Sequence, residues 1–259
     1  MTLFDKFLRI RELGIFSIIV VFVVVAAIID PRFMTLDSWR AVFLAIPLIL
    51  VMAMGQMMVI ICRHVDISIG SILAFSAIVI GLLYIQFPGL SLWLSLLITA
   101  FVGLVMGLIN GFIVTRFNVH SIIVTLGTLS LYRGLVFIVS GGRQIDRNDI
   151  PEHVVSFSQT SFLFSIPAIL IFSLIIVIIT HLVMRHSVLG REIYATGSNP
   201  VAAHLKGINV TKVTLFCFGV CGMLAGVAGL FYASRFGYVN PGVTGVGIEF
   251  IVIAGVIIG

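Results

Sequence analysis

Charged residues are scarce in this chain: Lys, Arg, Asp and Glu together make up 10% of its 259 residues. Soluble domains carry roughly 25%. With 60% hydrophobic residues and a mean hydropathy of +1.25, a soluble fold could not cover its apolar surface. Catalytic signatures are missing too. There is no GxxxxGK[ST] loop to cradle ATP phosphates, no HExxH for an intramembrane zinc protease and no GxSxG nucleophile elbow. Ionisable residues inside the apolar runs are few and dispersed, which argues against a proton-relay pump. Only Cys62, Cys217 and Cys221 carry thiols, each in or beside an apolar run. Cys217 and Cys221 share a helix face, but the further His or Cys that a metal would need are not nearby, so they read as packed thiols. Nothing here points to a cofactor, a metal or an enzyme.

What is present is a series of apolar runs. About 20 apolar residues suffice to cross a hydrocarbon core of roughly 30 Å. Seven spans are read at 14–29, 41–62, 67–87, 89–114, 119–139, 162–183 and 212–236, with an eighth starting at 248. The expected fold is all-α: a polytopic transmembrane helix bundle of about seven spans plus an incomplete eighth, in one membrane domain over 1–259. Lys6, Arg9 and Arg11 precede the short first run as in a signal peptide, and Val25-Ala26-Ala27 ends it. The closely following spans favour a retained helix over a cleaved signal.

Orientation follows from basic residues. With the N-terminus in the cytoplasm, Lys6, Arg9, Arg11, Arg63, Arg116, Arg185, Arg191, Lys206 and Lys212 fall inside, against Arg32, Arg40, Arg143 and Arg147 outside. That asymmetry supports an inside N-terminus. The charge of +5 is dispersed, as in membrane-protein loops, and makes no nucleic-acid footprint.

Glycines recur four apart at Gly103, Gly107 and Gly111, and again at Gly222 and Gly226, with Ala225 and Gly229 beside them. Such stripes let helix backbones approach closely. They also hint at a duplicated half, and both readings stay open. Among polar residues in the spans, Arg133 lies in the outer half of the fifth, beside Tyr132 and after Thr125, Thr128 and Ser130. It could line a polar path, snorkel to the interface, or pair with Asp149 or Glu152. Gln56 and Asn110 are further path candidates, or interhelical hydrogen bonds.

The inner connection 184–211 is the most informative stretch. Ser198-Asn199-Pro200 is a helix-start signal: Asn199 can cap free N–H groups and Pro200 is preset for the first turn. Val201–Lys206 then makes barely two turns before Gly207 ends them. Such a short helix, held at the cytoplasmic surface by its flanking spans, suits a grip for a soluble partner, or is an ordinary loop helix with no partner; this feature alone leaves both open.

LGREIYATGSNPVAAHLKG at 189–207 resembles the cytoplasmic coupling loop of ribose-type ABC sugar permeases. AMGQMMVIICRHVDISIGS at 53–71, VTLGTLSLYRGLVFIVSGG at 124–142 and ASRFGYVNPGVTGVGIEF at 233–250 resemble the same family, in its order, nearest the rhamnose and autoinducer-2 branches. The resemblance implies a non-catalytic subunit that pairs with a second permease and two cytoplasmic ATPase subunits. A periplasmic binding protein delivers the sugar. Gly197, Asn199, Ala202, Ala203 and Gly207 match the coupling positions. Asp66, Ser68 and Gly70 match a short turn between spans 2 and 3, with Asp66 expected to cap the next helix. His120 stands where the family commonly has proline. The family's last helices are not matched, and Ile248–Gly259 is too short to span, so the chain resembles a C-terminally truncated member. An ion-driven secondary transporter, which would need a midplane ionisable pair, and a non-transporting scaffold are the alternatives.

Overall fold

The computed structural model describes residues 11–162 and 166–258. Among these, six helices are long and apolar enough to cross a membrane: α2 (Leu36–Ile61), α3 (Ile69–Gln86), α4 (Leu92–Phe117), α5 (Ser121–Ser140), α7 (Ala168–His186) and α10 (Val210–Phe236). The first and last expected spans are the shorter apolar stretches of α1 (Arg11–Ile29) and α11 (Ile248–Ile258). The protein is thus a polytopic helical membrane protein. Helices α6 (Glu152–Gln159), α8 (Val188–Ser198) and α9 (Pro200–Leu205) lie in the two long connections.

Span boundaries follow local chemistry. Pro167 occupies the cap position of α7, and a two-residue ribbon, β1 (Ser161–Phe162) with β2 (Ile166–Pro167), precedes it, so this helix starts later than the expected 162. Ser91 caps α4 through its hydroxyl on the Leu94 N–H (3.3 Å), and Asn118 in the left-handed region closes it. Asn209 caps α10 on the Lys212 N–H (3.0 Å), and Gly237 at φ +68° ends it.

The chain divides into two compact units, Met1–Phe43 and Leu44–Gly259. In the first, Asp30 caps a turn at Pro31–Met34, accepting from the Arg32 N–H at 2.9 Å.

In the second, α4 and α10 form the tightest helix pair, because their glycine stripes face each other. A Cβ on Gly103 would meet the Gly222 carbonyl, and one on Gly222 would come within 2.7 Å of the Gly107 Cα. The two stripes are therefore partners in one interface, where backbone approaches backbone and dispersion holds the pair. Gly229 continues the α10 stripe onto α3, where a Cβ would lie 2.6 Å from the Leu73 carbonyl. All three thiols are buried, with Cys62 Sγ 3.6 Å from Cys217 Sγ.

Candidate functional site

Helix α2 stops at Ile61, yet α3 does not begin until Ile69. The intervening strand of chain does not leave the bundle. The Val65 N–H donates to the Ser121 hydroxyl (3.1 Å) at the start of α5, and the Ser71 hydroxyl donates to the Leu129 carbonyl (3.0 Å). From Ser121 to Leu129 is roughly 12 Å along a helix rising 1.5 Å per residue. Residues 65–71 thus run alongside that length of α5, the non-helical 65–68 first, and α3 starts inside the bundle. Irregular backbone at membrane depth is tolerated only when buried in protein or lining a cavity, so its polar groups need partners.

Side chains supply them. Oriented with its nitrogen on the Asp66 carbonyl (3.3 Å) and its oxygen on the Asp66 N–H (3.2 Å), the Gln56 amide pairs with that backbone as a neighbouring strand would. The Asp66 carboxylate accepts from the Ser68 N–H (2.9 Å), the Ser68 hydroxyl (2.7 Å) and the Asn110 amide (3.2 Å). Asn110 also donates to the Ser68 hydroxyl (2.7 Å), and the Tyr132 hydroxyl donates to Asn110 Oδ1 (3.2 Å) and the Met106 carbonyl (3.0 Å). Gln56, Asp66, Ser68 and Asn110 are fully buried and Tyr132 nearly so. Helices α2, α4 and α5 are therefore tied to the connection between α2 and α3.

Asp66 does not cap α3 as expected. Ser68 holds the cap position, and Asp66 instead turns onto the Ser68 N–H, two residues on. Gly70 is needed for a different reason: a Cβ there would strike the Glu249 carboxylate and the Gly245 carbonyl. Residues 237–247 turn back into the bundle, so α11 begins against the start of α3. Glu249 is 6% exposed, and its Oε2 has no hydrogen-bond partner among the described residues. Arg133 stands at the same junction, donating to the Thr244 carbonyl at 2.6 Å. Its expected partners are engaged elsewhere: Asp149 lies 3.9 Å from Arg143, and Glu152 bonds Arg147 at 2.7 Å. Thr125 and Thr128 are buried and bond carbonyls of their own helix, Ser121 (2.9 Å) and Thr125 (3.4 Å).

Within the connection 184–211 the caps of α9 are those the sequence suggests, whereas α8 before it was not expected. Asn199 Oδ1 accepts from the Val201 and Ala202 N–H groups, both at 3.1 Å, Pro200 opens α9, and Gly207 at φ +84° closes it. Gly197 packs so tightly on the Ile61 carbonyl that no side chain would fit. Ala203 is 3% exposed, and the Ile208 N–H folds back onto its carbonyl (3.1 Å). The face left open carries Ala202, Val201 at 71% exposure and Leu205 at 82%. Arg63, Val201, Leu205 and Glu249, which stand at these contacts or on this open face, were not among the candidates singled out from the sequence. The first was counted only as an inside charge, whereas apolar Val201 and Leu205, four apart on a capped helix, were a readable signal.

Residues 40–259 match the family described as branched-chain amino acid transport system / permease component. The chain is 34% identical over 232 residues to the autoinducer 2 import system permease protein LsrC of Yersinia enterocolitica. It is 33% identical to that of Yersinia pseudotuberculosis. These alignments cover 90% of this chain and 63% and 64% of the relatives, so the chain spans less than two thirds of the length of the curated proteins it matches. No solved structure matches.

Proposed function

This chain belongs to the branched-chain amino acid transport system / permease component family, and we propose from that premise that it conducts a small sugar or sugar-like solute through an ATP-driven importer. The solute is of the ribose, rhamnose or autoinducer-2 type, the membrane is the bacterial inner membrane, and the N-terminus is cytoplasmic. ATP is hydrolysed by separate cytoplasmic subunits, a second permease chain completes the path, and a periplasmic binding protein delivers the solute. This chain performs no bond chemistry.

The observation that carries the reading is the irregular connection at 62–68 between α2 and α3, pinned at one end to the 184–211 connection and at the other to a buried polar cluster. Irregular backbone held inside a bundle lets a transporter place polar groups at depth. Gln56, Asn110, Thr125, Thr128 and Tyr132 are buried in this state; their proposed role is to hold the path closed and to face it when α5 parts from the 62–68 segment. Asp66, Ser68 and Gly70 form the turn on which that movement hinges, and Arg133 steadies the second turn at Thr244.

Helix α9 is the proposed ATPase grip. Asn199 and Gly207 fix its ends, Gly197 seats it on α2, Ala203 anchors it inward, and Ala202 with Val201 and Leu205 meets the partner. Leu205→Glu should therefore cut co-purification of the ATPase subunits at least ten-fold while membrane insertion is kept, since it buries an unpaired charge at a desolvated contact. Retention of ATPase by Leu205→Glu together with Val201→Glu would remove α9 from the docking surface.

A further inference from the structure

Arg63 lies just past the end of α2, with its backbone at φ +65°. Glycine adopts that left-handed conformation freely, whereas a residue with a Cβ is held there only by surrounding contacts. Its contacts are specific. The Nε–H donates to the Gly197 carbonyl at 2.5 Å and Nη2 to the Ser198 carbonyl at 2.6 Å. Both carbonyls belong to the last turn of α8, where a helix leaves acceptors without intrahelical partners and carries its negative dipole end. The planar guanidinium fork matches two such oxygens at once, which an ammonium cannot do with the same geometry. Beside this clamp, Gly197 rests directly on the Ile61 carbonyl. The end of α8 therefore bears on the end of α2 through backbone on one side and guanidinium on the other.

The chain leading away from Arg63 has little slack. Val65, two residues on, is held by the Ser121 hydroxyl on its N–H (3.1 Å) and by the Thr125 hydroxyl on its carbonyl (3.4 Å). Asp66 follows at once, with Asn110, Ser68 and Gln56 around it. A displacement of α8 and α9 is thus passed to the polar cluster through three residues of non-helical backbone with fixed hydrogen bonds.

We propose that Arg63 is the positioning residue that transmits movement of the 184–211 connection to the buried cluster around Asp66, so that ATPase work opens the path. The proposal rests on α9 being the ATPase grip, and it adds to that reading the residue through which force leaves the grip. A residue that served only to stabilise this corner would be replaced best by glycine, which suits the backbone angle. A transmitting residue would not.

Arg63→Gly separates the two roles, since it relieves the left-handed backbone and deletes the clamp together. In the importer reconstituted with its ATPase subunits and binding protein, Arg63→Gly should keep its melting temperature and its ATPase content within two-fold. Uptake per ATP hydrolysed should fall ten-fold or more. Arg63→Lys, with charge but no fork, should fall between. Hydrogen exchange supplies a second readout: ATPase docking should slow exchange across 62–68 in the parent chain and leave it unchanged in Arg63→Gly. Uptake per ATP within two-fold of the parent overturns the proposal. So does loss of folding or of bound ATPase in both variants, which would make the clamp a structural brace. A parent chain that holds no ATPase overturns the functional reading first and the proposal with it, and that outcome is recognised before any variant is compared.

Discussion

Asp66 is fully buried, and the described residues hold no cation in ion-pair contact with it. Its hydrogen-bond donors, the Ser68 N–H and hydroxyl and the Asn110 amide, are what make that burial tolerable. Asn110 is the pivot of the cluster, because it serves Asp66, Ser68 and Tyr132 together. Asn110→Ala should lower stability by about 1–3 kcal/mol, the cost of leaving buried partners unsatisfied. Tyr132→Phe should cost less, and the double variant should fall short of the sum by at least about 0.5 kcal/mol, as expected of residues in one network. Thermal unfolding of the four chains in detergent measures this cycle; strict additivity would mean that Tyr132 and Asn110 act apart. Gln56, Asn110 and Tyr132 stood out as polar residues in apolar runs, whereas Asp66 and Ser68 were picked out by the family resemblance. That they meet was not legible, because they lie on three spans and a break whose packing no local pattern encodes. Arg133 stood out by the same logic, yet its partner is a backbone carbonyl at Thr244, and a carbonyl leaves no mark in a sequence.

At the scale of elements, the helices were legible because hydropathy reports length directly. The break at 62–68 read as a short turn between spans, since Val65 and Ile67 keep the run apolar while the backbone stays inside the bundle. The glycine stripes were also legible as surfaces for close helix approach, but that they face each other showed only in the Cβ positions. Matched substitutions test that pairing. At Gly222 a side chain would meet the Gly107 backbone, whereas at Gly127, also in a long apolar helix, nothing lies within 4 Å. Gly222→Leu should therefore drive α4 and α10 apart and aggregate on mild heating, with a loss of about 1–3 kcal/mol or more. Gly127→Leu should leave the melting temperature of the isolated chain near that of the parent. Fluorescence-detected size exclusion after heating compares them, and equal behaviour would contradict the close pairing. Helix α9 illustrates the converse limit. Its caps were plain in Asn199-Pro200 and Gly207, but the inward turn of Ala203 depends on the Ile208 N–H folding back, a contact made after the helix ends.

For the whole molecule, the membrane topology separates the two long connections. Among the described residues, α7 is the one helix between Asp149 and Asn199 long and apolar enough to cross a membrane, and a spanning α7 puts the two on opposite sides. A reporter fused near Asn199 should be cytoplasmic and one near Asp149 periplasmic, in line with the excess of basic residues on the inner segments. Finding both reporters on one side would mean that α7 does not span. The central claim, import driven by ATP hydrolysed on separate subunits, is tested most directly by uptake. Proteoliposomes holding the chain with its ATPase subunits, the α9 side facing a lumen loaded with ATP, are given binding protein with radiolabelled ribose, rhamnose or autoinducer 2. The account predicts that at least one of these accumulates only when ATP is present, and that accumulation survives ionophores that collapse every ion gradient. Accumulation without ATP that those ionophores abolish would contradict it and identify an ion-driven transporter instead.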